Sequence, residues 1–177
     1  MSKSRGNVIN PDDCVNEYGA DTFRTYVMFM GDFEKTATWS NASIRGCRRF
    51  LGRSLNLLEM IDGEKGYGAL EKNFHRTIEK VGGDIEELKF NTAIAAIMEL
   101  SNAAGEYLRA FSPDDRAACE DHRALDAEVA EVLVKLVAPF TPHLADELWR
   151  EALGREGFVY DQPWPEYDPD QARADEV

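Results

Sequence analysis

Three sets of residues have types and spacing that could do chemistry. The first is the run Ser2-Lys3-Ser4-Arg5-Gly6-Asn7, which joins two hydroxyls, two cations, a glycine and an amide. Such a loop suits an anionic ligand such as a polyphosphate. Hydroxyls and backbone N–H groups donate hydrogen bonds, and Lys3 adds a mobile positive charge. The same composition also serves a solvated arm. The second set is Arg45, Arg48, Arg49 and Arg53. Steps of four put Arg45, Arg49 and Arg53 on one side of a helix. That side is either a solvated face or a row of forked donors for phosphate. The third set is His143, Asp146 and Glu147. It fails the HExxH spacing of a metal site, so capping or structural roles are expected. Cys14, Cys47 and Cys119 are as dispersed as His75, His122 and His143. No disulfide framework or metal site arises from them, and a reducing cytosol is the simplest home.

These sets must be held by helices. Asn10-Pro11-Asp12-Asp13 is turn and helix-start chemistry, with Asp12 or Asp13 as the expected cap. Val15, Tyr18, Thr22, Phe23, Tyr26, Val27 and Met30 recur at three- and four-residue steps, which predicts one helix from about Cys14 to Met30. Ser40 or Asn41 reads as the next cap. Ile44, Cys47, Phe50, Leu51, Ser54, Leu55, Leu58 and Ile61 then form the apolar stripe of the helix that carries the arginines. A glycine-rich loop over 62–68 separates it from a third helix, Leu70 to Val81, which Gly82-Gly83 is expected to end or interrupt. Phe90 to Phe111 is the clearest core helix, with alanines that allow close approach of a neighbour. Ala124 to Val137 comes next, then a break at Pro139, then a last helix from His143 to Leu153 with Pro142 in its first turn and Gly154 as its stop. From Gly157 the pattern is extended, an apolar strap around Pro163-Trp164-Pro165. Residues 169–177 read as a frayed acidic tail. The fold class expected is therefore all-α, a bundle of about five or six helices with an N-terminal loop and an extended C-terminal strap.

Composition sets limits on partners. The chain has 177 residues, 44% hydrophobic and 30% charged, which is ordinary for a globular domain. No apolar run reaches membrane-spanning length. The net charge is −13, which argues against a stand-alone nucleic-acid binder. It is unevenly spread: residues 1–58 balance at +2 and residues 59–177 at −15. A polyanion should meet the N-terminal end.

Met-Ser-Lys-Ser-Arg-Gly-Asn resembles the KMSKS signature of class I aminoacyl-tRNA synthetases, lacking its first Lys. Tyr18-Gly19-Ala20-Asp21-Thr22-Phe23-Arg24 is similar to the segment that comes after that signature in the leucine, isoleucine, valine and methionine enzymes. Tyr26-Val27-Met28-Phe29-Met30-Gly31, Phe90-Asn91-Thr92-Ala93-Ile94 and Ala138-Pro139-Phe140-Thr141-Pro142-His143 resemble the leucyl-tRNA synthetase family. The resemblance is weakest over 62–88 and 112–124.

The resemblance implies a fragment of a leucine–tRNA ligase. It divides the chain into the signature loop and first connecting helix at 1–35, an anticodon-binding-type bundle at 36–168 and a tail at 169–177 leading to a missing C-terminal domain. The catalytic and editing domains are also absent, so the fragment is expected to be inactive alone. In the intact family, leucine's carboxylate attacks the α-phosphate of ATP, which comes with Mg2+, and pyrophosphate leaves. The resemblance assigns Lys3 as the catalytic loop cation, with Met1, Ser2, Lys3 and Ser4 at ATP. It places Arg45, Arg48, Arg49 and Arg53 toward leucine tRNA, by backbone and shape contacts rather than base reading. A cytoplasmic monomer is expected, with apolar surface left bare near 14–30. Two alternatives stay open: an autonomous helical protein-interaction module, or the same piece of an isoleucyl-, valyl- or methionyl-tRNA synthetase.

Overall fold

A computed structural model describes residues 8–31, 36–59, 71–110 and 127–173. Met1, Ser2, Lys3 and Ser4, the 62–68 loop and the 112–124 linker lie outside the described residues. Among the described residues the architecture is all-α, and no helix is long and apolar enough to cross a membrane.

The first expected helix is two. α1 spans Pro11–Tyr18 and α2 spans Ala20–Phe29. Gly19 separates them at φ +90°, a conformation that costs other residues dearly. The apolar spacing runs across the break, so periodicity alone could not show it. The cap of α1 is Asn10 rather than Asp12 or Asp13: its Oδ1 accepts from Asp12 N at 3.2 Å, and Pro11 fills the first helical position. Tyr26 is buried, but Val15 and Val27, expected inside, are exposed, as is Val8.

α3 spans Asn41–Glu59. Ser40 caps it, its Oγ accepting from Ser43 N at 3.2 Å. Tyr26, Ile44 and Cys47 form a small core with Phe23 and Trp39 packed beside it. Trp39 meets Tyr26 edge-on at 4.8 Å, and the Tyr26 hydroxyl accepts from Ser40 N at 2.7 Å. One aromatic thus ties α2 to the start of α3.

α4 spans Glu71–Glu86 and runs straight through Gly82 and Gly83. Two glycines inside a helix cost roughly 1 kcal/mol each relative to alanine, so tertiary packing overrides the expected stop. A Cβ on Gly82 would lie 3.3 Å from Trp164 Nε1, so the glycine lets the C-terminal strap approach. The helix instead ends at Glu86, and the chain turns at Leu88, whose φ is +58°. Leu88 N donates to Ile85 O at 3.1 Å and Lys89 N to Asp84 O at 2.7 Å. This is the capping pattern usually built on glycine.

The main core gathers α4, α5 (Phe90–Ala110), α6 (Ala127–Val137) and α7 (Pro142–Glu147). α4 contributes Phe74, Ile78 and Val81 to it, α5 contributes Ala93, Ile94, Ile97 and Ala104, and α6 contributes Val129, Leu133 and Leu136. Each large aliphatic buried here contributes roughly 1.5–3 kcal/mol. α7 does not continue regularly to Leu153. It passes into a π-helical turn, Leu148–Ala152, that buries Leu148 and Trp149, and Gly154 at φ +60° then reverses the chain.

The strap also departs from expectation. It contains a 3-10 turn, Val159–Asp161, and buries Val159 and Pro165. Its aromatics Phe158, Tyr160, Trp164 and Tyr167 stay exposed. The acidic tail is not frayed at its start: Pro169–Ala172 forms a short helix, α8, capped by Asp168 Oδ1, which accepts from Asp170 N at 2.9 Å. Asp168 N also donates to His75 Nδ1 on α4 at 3.2 Å.

Candidate functional site

The described candidate residues are the four arginines of α3, and the fold separates them. All four are exposed. Arg48 turns toward α1 and its Nη1 donates to Glu17 O at 3.2 Å. That carbonyl is among the last of α1, which has no intrahelical partner, so a cation there complements both the bond and the helix end. Arg45 and Glu17 lie beside Tyr18 and act on it in opposite senses. The Glu17 contact raises the Tyr18 pKa, burial adds to it, and Arg45 opposes both. Arg49 and Arg53 continue along the helix and make no ion pair among the described residues.

Several other cations of the bundle are committed internally. Lys80 pairs with Asp84 at 2.8 Å, Lys135 with Glu131 at 2.8 Å, Arg155 with Glu131 at 3.0 Å and Arg150 with Asp146 at 2.8 Å. Arg150 also lies over the Phe158 ring, and Lys135 over Trp149. The outward face of α3 is therefore a place where guanidinium forks remain available to a ligand's phosphates.

Beside this face lies an open cleft of about 440 Å³ between the α1–α2 junction, α3 and α7, lined by Tyr18, Asp21, Arg48, His143 and Glu147 among others. Asp21 bridges its walls. Oδ1 meets His143 Nδ1 at 2.9 Å, and Oδ2 accepts from Leu144 N at 2.7 Å. Asp21 thereby caps α7 from 123 residues away, since Thr141 makes no side-chain cap. Arg24 adds a second link, donating to Pro139 O at 3.3 Å. His143, Asp146 and Glu147 have separate surroundings: His143 pairs with Asp21, Asp146 with Arg150, and Glu147 lines the cleft. Sequence reasoning missed Asp21 because no local pattern joins position 21 to position 144.

Residues 69–177 match the family model described as the anticodon-binding domain of tRNA ligase. Residues 1–40 match the model for class I tRNA synthetases (I, L, M and V). A leucine–tRNA ligase of Alkaliphilus oremlandii is 47% identical over 95% of this chain, and one of Fervidobacterium nodosum is 42% identical over all of it. The chain spans 19% and 22% of those proteins, about a fifth of their length. Among solved structures, a LeuRS–tRNA–LeuAMS ternary complex from Agrobacterium radiobacter superposes with a TM-score of 0.75 at 30% identity, over 97% of this chain and 23% of that one. The chain belongs to the anticodon-binding domain family of tRNA ligases, and its N-terminal residues carry a piece of the class I synthetase domain, with close kin among the leucine enzymes.

Proposed function

We propose that this chain is part of a leucine–tRNA ligase and that its bundle supports the body of leucine tRNA on the outward face of α3. One observation carries the reading: Arg49 and Arg53 stand exposed one turn apart on a single helix with no ion pair among the described residues, while Lys80, Lys135, Arg150 and Arg155 are bound to carboxylates and the likewise unpaired Arg76 and Arg173 lie on different elements. A polyanionic backbone is the ligand that such a row of forks fits. Arg45 adds a third fork on the same side, and Arg48 holds the helix against α1.

The whole enzyme joins leucine to the α-phosphate of ATP, releases pyrophosphate and passes the leucyl group to the 3′ end of the tRNA, in the cytoplasm. Lys3 is the loop cation that meets the phosphates as their charge develops, with Met1, Ser2 and Ser4 beside them, and Mg2+ accompanies the ATP. Residues 1–35 belong with the catalytic domain and 36–168 with the tRNA-supporting bundle. In the intact enzyme, Lys3→Ala is expected to slow adenylate formation by about 3 kcal/mol of barrier and to leave leucine binding nearly unchanged. Unchanged pyrophosphate exchange removes the Lys3 assignment.

The test of the bundle is a salt series with labelled leucine tRNA. Binding should be weak, and it should be lost in the Arg45/Arg49/Arg53 triple-alanine variant. The slope of log K against log salt should fall by about one per phosphate contact removed. Absence of binding at low salt contradicts the reading and favours a protein-interaction module.

A further inference from the structure

A second cleft, of about 620 Å³, lies between α4 and the C-terminal strap, remote in sequence from the α3 arginines. Trp164 and Tyr167 line it together with Glu79, Glu86, Glu166 and Gly83. No Lys or Arg is among its lining residues. The three carboxylates make no ion pair among the described residues, and Trp164 and Tyr167 are each 40% exposed. Aromatic faces beside uncompensated carboxylates attract organic cations, because the ring quadrupole and the negative charge act together.

The glycines sharpen this. Gly82 is explained by packing, since a Cβ there meets Trp164. Gly83 is not: a Cβ on it meets nothing within 4 Å, yet alanine would stabilise the helix. A glycine without a packing reason, among the lining residues of a cleft, leaves room for close approach of a ligand to the backbone.

We propose that this cleft is a docking site for an arginine side chain presented by a partner polypeptide. The planar guanidinium stacks on an indole and forks onto carboxylates at once. A lysine or polyamine ammonium is a compact and strongly hydrated charge, less suited to such a wall. The acidic balance of residues 59–177 draws a basic segment to this side of the molecule.

The probe is N-acetyl-arginine amide, titrated into the 177-residue chain while the indole N–H resonance of Trp164, assigned with Trp164→Phe, is monitored by NMR. The resonance should shift saturably, with those of Trp39 and Trp149 unmoved. The isosteric N-acetyl-citrulline amide should leave it in place. The surface variant Glu79→Gln/Glu166→Gln should weaken binding about tenfold while its spectrum stays that of the folded chain. Equal shifts with citrulline reduce the cleft to an apolar patch and overturn the proposal. So does unchanged affinity in the carboxamide variant. Spermidine binding more tightly than the arginine derivative replaces a polypeptide arginine with a polyamine, and also overturns it.

Discussion

Two sides of this molecule commit their positive charges to different extents. On the α4–α8 side, Lys80, Lys135, Arg150 and Arg155 neutralise carboxylates or cover aromatic rings, and only Arg76 and Arg173 among the described arginines there stand exposed without an ion pair. On α3, Arg48 serves as a strut and Arg49 and Arg53 face outward. The net charge of −13 hides this division. A protein can be acidic overall and still offer a polyanion a suitable face, provided the cations on that face are not consumed internally. Asp21 joins the two sides by capping α7 from α2.

Breaking that joint should have the largest effect. Asp21→Ala leaves Leu144 N–H uncapped and removes the His143 contact, so it should cost about 2 kcal/mol in urea unfolding. His143→Ala, whose ring is exposed, should cost far less. Equal losses would show that the pair rather than the cap joins the two sides.

Smaller effects should appear on α4. Leu88→Gly removes a left-handed non-glycine residue and should raise stability by about 1 kcal/mol. Gly83→Ala should raise it by a similar roughly 0.5–1 kcal/mol, whereas Gly82→Ala should gain less or lose, since its methyl group presses on Trp164. Thermal melts of the two alanine variants side by side check this, and equal gains would mean that the strap yields freely.

The subtlest effect belongs to the α2–α3 core. Burial pushes the Cys47 thiol from 9.0 up to about 11. Below pH 9 the thiol is neutral folded and unfolded, and its contribution is fully present. Between pH 9 and about 11 only the unfolded thiol ionises, so stability falls as pH rises. Comparing urea midpoints of the native chain and Cys47→Ala through that window isolates the effect, because other alkaline titrations are common to both. A constant difference between them contradicts it.

How far the sequence was legible depended on whether the cause was local. The stripes of α3 and α5 can be read from periodicity because one face of each is buried against a core. The arginine row comes from the same geometry. Gly19 was hidden by apolar spacing that continues across it, and Gly82 misled because a Trp more than eighty positions away occupies the space that it leaves. The π turn at Leu148–Ala152 has no local signature. The separation of Arg48 from Arg49 depends on where α1 ends in space, and a helical wheel of α3 contains no information on that.

The measurement closest to the central claim is a paired one on α3: unfolding stability and leucine tRNA affinity for Arg48→Ala and Arg53→Ala. Arg48→Ala should lose about 1 kcal/mol of stability with a small change in affinity. Arg53→Ala should keep full stability and bind tRNA several-fold more weakly with a shallower salt dependence. Full affinity in Arg53→Ala and in its Arg49→Ala counterpart would contradict the division of roles and leave the outward face of α3 as solvated surface.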